Sequence, residues 1–290
     1  MKPLLSTMSN PILNSLIIKE DLSPFENLGL IANFAANLPA DVDRAAVAAD
    51  RFPIPATKDR EHYHGDMHAA WWLSGRTDML AMRAAAERVG VDFDHMCYYE
   101  MGCASGRVVR HLLNETQAEV WCSDLNARHV EWVRRYLGVR VKAFNNTALP
   151  ILPLESGTVD MVAAFSVFTH IDDLEAQWLL ELRRILRPGG LAYITVCTED
   201  TWEQYKSGWI KNTFMPLADQ ITDYRIDDSL FSGPLPNEKT VFWWPLRGGV
   251  YNSSVFHSKD YIQNLYGRFF DIVDIIRNGH AYQDVLLLRK

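Results

Sequence analysis

The sequence predicts an α/β fold: a doubly wound, mostly parallel sheet with an antiparallel C-terminal strand, preceded by a helical N-terminal cap. Three observations predict it. From Met96 onward, apolar strand-like runs alternate with helical ones, the order that builds a parallel sheet with helices on both faces. Before residue 92 the signals are helical and no convincing strand occurs. At the end, FFDIVDIIR and QDVLLLRK read as two strands joined by NGHAY, a Gly-containing loop suited to a hairpin. With 290 residues, 48% of them hydrophobic, the chain can bury a large core in one large domain or two smaller ones.

In chain order, NLGLIANFAANL and ADVDRAAVAADRF are Ala-rich and helix-compatible, and Pro53 and Pro55 stop the second. MHAAWWLSGRTDMLAMRAAAERVG reads as one or two helices ended by Gly90. MCYYEM is a strand, GRVVRHLLN a helix, EVWCSDL a strand, ARHVEWVRRYLG a helix with a Gly stop, and VKAF a short strand. VDMVAAFS is the next strand, DLEAQWLLELRRILRPGG a helix closing in a Pro-Gly-Gly turn, and LAYITVCTE the strand after it. Residues 200 to about 256 form an insertion rich in Trp, Tyr, Pro and Gly, in which FWWPLRGGVYNSSVFHS suits a hairpin. The expected division is 1–92 as helical cap or lid and 93–290 as the sheet domain carrying that insertion.

Composition narrows the function. A net charge of −7 and a pI near 5.7 oppose a nucleic-acid partner, which usually brings a basic surplus. Cys97, Cys103, Cys122 and Cys197 form no CxxC pair, so they read as reduced cysteines with no zinc spacing. The N-terminus shows no clear signal-peptide pattern, and no run approaches the ~18 apolar residues of a membrane span. The expectation is a cytoplasmic protein with no membrane partner and no resident metal; whether it self-associates is left open.

The stretch YYEMGCASGR, residues 98–107, carries the functional signal. A glycine-bearing turn between a strand and a helix sits at the carboxyl end of its strand, where open α/β sheets bind ligands. There it lets a ligand approach the main chain, and the following helix start favours a negative group. A tight turn with Gly for packing is the plainer reading. EVWCSDL carries Asp124 next to its end, 18 residues after Gly106, where a carboxylate can accept hydrogen bonds from ribose hydroxyls. Asp124 or Asn126 can equally cap the next helix.

At these residues the chain resembles the class I methyltransferases that use S-adenosylmethionine. Their acidic residue followed by GxGxG appears here as Glu100-Met-Gly102-Cys103-Ala104-Ser-Gly106. The departure is Ala104, which is strained if it takes a positive φ. LPLESGTVDMVAAFSVFTHI resembles the family's fourth-strand region, and ELRRILRPGGLAYITV its next helix, turn and strand. The closing pair of strands matches too. The resemblance covers about 96–200 and 256–290 and implies a Rossmann-like sheet and S-adenosylmethionine as cofactor.

By this resemblance Gly102, Cys103, Ala104 and Gly106 form the turn against the methionine part. Glu100 stands near the cofactor amino group or anchors the turn. Asp124 holds the ribose, Leu125 packs on adenine, and Asn145 or, preferably, Asn146 reaches the adenine amino group. Phe165 and Ser166, at the end of the fourth strand, stand by the methionine or the reactive methyl. The candidates for catalysis are His170 in SVFTH, His257 in VFHSKDYI, and Tyr63 and His64 as a segment closing over the cofactor, with Tyr63 able to flank a sulfonium through cation–π contact. His62, His64 and His68 make no familiar metal set. Trp71, Trp72, Trp243 and Trp244 are core or lid by type, in the two regions expected to flank the site. The resulting expectation is methyl transfer to a small-molecule acceptor such as a natural-product, sugar or lipid intermediate, leaning to oxygen because histidines border the site. Carbon or nitrogen acceptors, an RNA or protein acceptor and a non-catalytic cofactor-binding module remain alternatives. A nicotinamide dehydrogenase is opposed by the missing GxGxxG, since Arg107 stands where its last glycine would be.

Overall fold

The computed structural model describes residues 38–61, 63–206, 232–243 and 253–290. A seven-stranded sheet runs in the order β3-β2-β1-β4-β5-β9-β8. Its strands are β1 (Cys97–Met101), β2 (Glu119–Asp124), β3 (Val141–Asn145), β4 (Val159–Ala164), β5 (Leu186–Val196), β8 (Asp271–His280) and β9 (Gln283–Arg289). The helices are α1 (Arg44–Ala49), α2 (His68–Arg88), α3 (Val109–Glu115), α4 (Ala127–Tyr136), α5 (Glu175–Ile185), α6 (Glu199–Lys206) and α7 (Lys259–Leu265). The chain divides into two compact units. One runs to Asn146 and takes in Val159–Met161; the other holds Thr147–Thr158 and Val162–Lys290.

In the first unit β1 pairs with β2, and β2 with β3, all parallel. Near-continuous burial of Tyr98, Tyr99, Val120 and Cys122 is what a strand covered on both faces requires. The segment read as one or two helices is the single helix α2. Gly90 follows at φ +80°, and the Val91 N–H returns to the Ala86 carbonyl at 3.0 Å, closing the helix end. The helix read over 40–52 is only α1, capped by Asp43 on the Ala45 and Ala46 N–H groups. It ends at Asp50, before the prolines, because the Asp50 carboxylate takes the Arg110 Nε and Trp72 Nε1 hydrogens, each at 2.7 Å. A tertiary ion pair thus overrides local helix propensity. NLGLIANFAANL lies, except for Leu38, outside the described residues.

In the second unit β9 is antiparallel to both β5 and β8, the expected C-terminal pairing. The connection is shorter than NGHAY. His280 pairs with Gln283 after a register shift, leaving Ala281 and Tyr282 as the turn. Strand β5 begins at Leu186, so the Pro-Gly-Gly stretch belongs to its start; the Gly189 N–H donates to the Lys290 carbonyl at 2.8 Å. A second sheet pairs β6 (Lys239–Trp243) antiparallel with β7 (Ser253–His257), so the pairing begins three residues before FWWPLRGGVYNSSVFHS. Phe242 and Phe256 of this sheet pack with Trp202 and Cys197. Among the described residues no helix is long and apolar enough to cross a membrane.

Candidate cofactor site

The turn after β1 is built from the first unit alone. The Gly102 and Cys103 N–H groups both donate to the Ser123 carbonyl, at 2.8 and 2.9 Å. Gly102 and Gly106 adopt φ +74° and +76°, and Ala104 φ +45°. The strain anticipated at Ala104 is therefore present. Its N–H donates to Asp124 Oδ2 at 2.8 Å, which holds it there. Left-handed backbone costs a non-glycine residue roughly 1–2 kcal/mol. Ala104→Gly is expected to raise stability by about 1 kcal/mol in urea unfolding, since the lost strain exceeds the added chain entropy. An unchanged or lower midpoint would contradict it. Helix α3 starts at Val109, later than GRVVRHLLN suggests, with residues 104–108 in turn conformation.

Asp124 ties the site together. Its Oδ1 accepts the Asn126 N–H at 2.8 Å, and His129 Nδ1 lies 3.6 Å away. Burial opposes its charge, but His129 and the two backbone donors together hold the carboxyl below its usual range, so it is ionised at neutral pH. Each carboxylate oxygen accepts more than one hydrogen bond, so capacity for hydroxyl donors remains. The helix cap is Asn126, whose side chain accepts the Arg128 N–H. Asn145 Nδ2 and the Asn146 N–H both reach the Asp124 carbonyl, at 3.2 and 3.3 Å, which brings both asparagines beside the β2 end. Leu125 is half-buried there.

Glu100 is 3% exposed, on the last turn-facing part of β1. Burial pushes its carboxyl up to about 8, against the Tyr98 hydroxyl donated at 2.9 Å and the Arg107 charge. Between pH 4.5 and 8 the folded chain holds a proton that the unfolded chain has released. The neutral form's contribution to stability is therefore complete below 4.5 and is lost as pH rises through 8. A cationic ligand group beside Glu100 reverses the preference and expels the proton. Cofactor affinity is then expected to rise by up to about tenfold per pH unit between pH 6 and 8, with proton release seen by calorimetry in buffers of different ionisation enthalpy. Glu100→Gln should flatten that rise; a flat wild-type profile would show that Glu100 only anchors the turn.

Sequence reading missed Arg107 and Asp78. Arg107 donates to Asp78 Oδ2 at 2.5 Å and to Ser74 Oγ at 3.3 Å, both on α2, and its guanidinium lies 5.6 Å from the Tyr63 ring centroid. The available signal was a charged residue directly after the last glycine of the turn. The segment before α2 also fastens here. The Ser105 hydroxyl donates to the Asp59 carbonyl, Arg128 Nε bonds Asp59 Oδ1 at 2.6 Å, and Asn126 Nδ2 bonds Glu61 at 2.8 Å. Tyr63 and His64 ride on this anchored segment with rings 4.4 Å apart, Tyr63 being 48% exposed. His68 Nδ1 lies 2.9 Å from Arg60, while His62 is outside the described residues. Trp71 is core, its ring centroid 5.6 and 5.4 Å from the Arg60 and Arg110 guanidinia, and Trp72 is buried with its Nε1 hydrogen on Asp50. Trp244 falls outside the described residues.

The second unit carries the remaining candidates. Phe165 follows β4, buried, with its ring 5.6 Å from Tyr193 and 5.4 Å from His280. Ser166 sits at φ +55°, its N–H on Thr195 Oγ1 at 2.7 Å and its hydroxyl on Gln283 Oε1 at 3.1 Å. Thr195 and Gln283, themselves hydrogen-bonded at 2.7 Å, together hold Ser166 in this strained conformation. His170 Nδ1 lies 2.5 Å from the Ser253 carbonyl. A carbonyl only accepts, so Nδ1 carries the hydrogen and Nε2 is the basic nitrogen. Burial keeps this imidazole below its ordinary range, hence neutral at pH 7. His257 is fully buried, with Nε2 2.8 Å from Glu175 Oε1.

The first unit's donors and acceptors fit S-adenosylmethionine. An ionised carboxylate suits a ribose diol, a buried Glu100 with a raised carboxyl suits a cation, and positive-φ glycines allow close backbone approach.

Comparison with known proteins agrees. Residues 99–190 match the family profile described as a methyltransferase domain. The chain is 27% identical over 192 residues to a malonyl-[acyl-carrier protein] O-methyltransferase of Enterobacter lignolyticus, covering 66% of this chain and 69% of that one. Among solved structures it is similar to an S-adenosylmethionine-dependent methyltransferase of Mesorhizobium loti (TM-score 0.51, 14% identity, 72% of this chain and 98% of that one). It is also similar to one of Clostridium acetobutylicum (TM-score 0.52, 11% identity, 74% and 91%). At such identities these two speak for the fold alone. The acidic β1 end, the positive-φ turn and the β2 carboxylate all lie in the segment, residues 99–190, that matches the methyltransferase-domain profile, and the fold is that of S-adenosylmethionine-dependent methyltransferases.

Proposed function

We propose that the protein methylates a hydroxyl oxygen of a small-molecule acceptor, with His170 taking the proton. The observation that carries this reading is the His170 Nδ1 contact with the Ser253 carbonyl, which leaves a neutral imidazole with its basic nitrogen at Nε2. When bound, the cofactor supplies an electrophilic methyl on a sulfonium. Asp124 holds the ribose, with Leu125, Asn145 and Asn146 toward adenine. Gly102, Cys103, Ala104 and Gly106 shape the turn, and Glu100 offers its charge to the amino group. The roles of Phe165 and Ser166 at the methyl end, and of Tyr63 and His64 in closing the site, follow the family resemblance. His257, with no exposure and its Nε2 turned to Glu175, suits a buried structural contact better than proton transfer to an acceptor.

The test is a screen of hydroxyl-bearing acceptors read by release of S-adenosylhomocysteine, followed by His170→Ala. With a hydroxyl acceptor the substitution should lower kcat by about 10²–10⁴-fold. Cofactor affinity should stay unchanged. Wild-type activity should fall as pH drops below the ordinary imidazole range, where the base becomes protonated. The relative's malonyl acceptor favours a second reading, a carboxylate oxygen. A carboxylate is already ionised at neutral pH and needs no base. Turnover of such an acceptor unaffected by His170→Ala would select it and overturn the hydroxyl reading.

A further inference from the structure

Glu175, the first residue of α5, is buried and gathers four polar groups from the second unit. Its Oε2 takes Lys239 Nζ at 2.7 Å and the Tyr261 hydroxyl at 2.9 Å. Its Oε1 takes the Tyr266 hydroxyl at 2.7 Å and faces His257 Nε2 at 2.8 Å. Despite burial, His257 and Lys239 hold this carboxyl down to about 2, so it is a fixed negative charge. A buried ion cluster of this kind is a poor source of stability, because desolvation offsets much of the attraction. Its better-attested use is to fix one arrangement of the chain.

What it fixes converges on His170. Lys239, besides binding Glu175, donates to the Asp172 carbonyl at 2.8 Å, two residues beyond His170. His257 ends β7, and the same strand begins with Ser253, whose carbonyl faces His170 Nδ1 and whose hydroxyl donates to the His170 carbonyl at 2.8 Å. In the middle of β7 the Val255 N–H donates to the Thr169 carbonyl at 2.8 Å. The loop bearing His170 is thus held by Lys239 of β6 and by β7; Lys239 and His257 are cross-strand partners, and Glu175 contacts both of them.

We propose that Glu175 is a positioning residue for His170, keeping its ring on the Ser253 carbonyl and so selecting the tautomer with a basic Nε2. The inference rests on the reading of His170 as the base. It is separable from it, because the tautomer can be observed without any acceptor. In the full chain labelled with 15N-histidine, long-range nitrogen–proton correlation spectra report the protonated nitrogen of each ring, and His170→Gln assigns the signal. The wild type should show His170 protonated at Nδ1. Glu175→Gln should convert His170 to mainly the Nε2-protonated form that free imidazole side chains favour. On an identified hydroxyl acceptor it should lower kcat about tenfold with cofactor Kd unchanged, the size seen when an outer partner of an oriented histidine is lost. Lys239→Met, which keeps three of the four partners of Glu175, serves if Glu175→Gln does not fold, and should move the same signal. Glu181→Gln, on the same helix but bonded to Arg184, is the control and should leave it unchanged. Folded Glu175→Gln and Lys239→Met proteins that both keep the Nδ1-protonated form would overturn the positioning role. A wild type already protonated at Nε2 would instead overturn the assignment of His170 as the base.

Discussion

Asp124→Ala should weaken binding of S-adenosylhomocysteine by about two orders of magnitude, roughly 3 kcal/mol. The substitution removes the acceptor for ribose hydroxyls and, in the same stroke, the acceptor of the Ala104 and Asn126 N–H groups. Hydrogen bonds to charged groups contribute about 1.5–3 kcal/mol each, and buried donors left without a partner cost a similar amount. Ala104 would then sit in left-handed backbone with nothing holding it, so the turn loses shape as well as charge. Asp124→Asn, which keeps an acceptor oxygen but no charge, should fall between the two in a competition binding assay. Equal affinity of Asp124→Ala and wild type would remove the ribose role.

Gly75→Ala should destabilise the protein by about 2 kcal/mol, although Ala is the better helix former. In an exposed helix the change would stabilise by roughly 1 kcal/mol. Here Gly75 lies in the middle of α2, and a Cβ would overlap the Arg107 carbonyl oxygen and its side-chain stem. Backbone cannot yield as a flexible side chain can, and overpacking of this kind typically costs 1–3 kcal/mol. Arg107 also reaches Asp78 and Ser74 on α2. The same shift should therefore loosen cofactor binding through Glu100, whose charge Arg107 supports. Thermal unfolding of the variant gives the sign directly. A higher midpoint than wild type would show that α2 does not press on the turn.

The strand–helix alternation from Met96, the closing antiparallel pair and the Glu100–Asp124 set were legible because they follow local rules. Near-continuous apolar strand runs, a glycine turn and a carboxylate at a strand end are written in neighbouring residues. The anchors were not legible. Asp50 is met as a helix residue in ADVDRAAVAADRF, yet its carboxylate ends that helix by pairing with Arg110, 60 positions away. Ser105 looks like turn filler, yet it fastens the segment before α2 through Asp59. Glu175 reads as one more polar residue at a helix start, and its four partners lie 64 to 91 residues downstream. Ser166 reads as a strand end; nothing nearby tells that Thr195 and Gln283 hold it at positive φ. Long-range polar pairing leaves no periodic trace. For that reason the glycine turn and the strand-end carboxylate could be read from sequence, whereas the polar groups gathered around Glu175 and the His170 loop had to be seen in the structure.

The claim on which the rest depends is that YYEMGCASGR and Asp124 hold S-adenosylmethionine. The most direct measurement is calorimetric titration of the wild-type protein with that compound. One-to-one binding with a Kd in the micromolar range, about −8 kcal/mol, is the predicted result. A folded protein that gives no binding heat up to millimolar ligand, and no rise in unfolding temperature with it, would contradict the account.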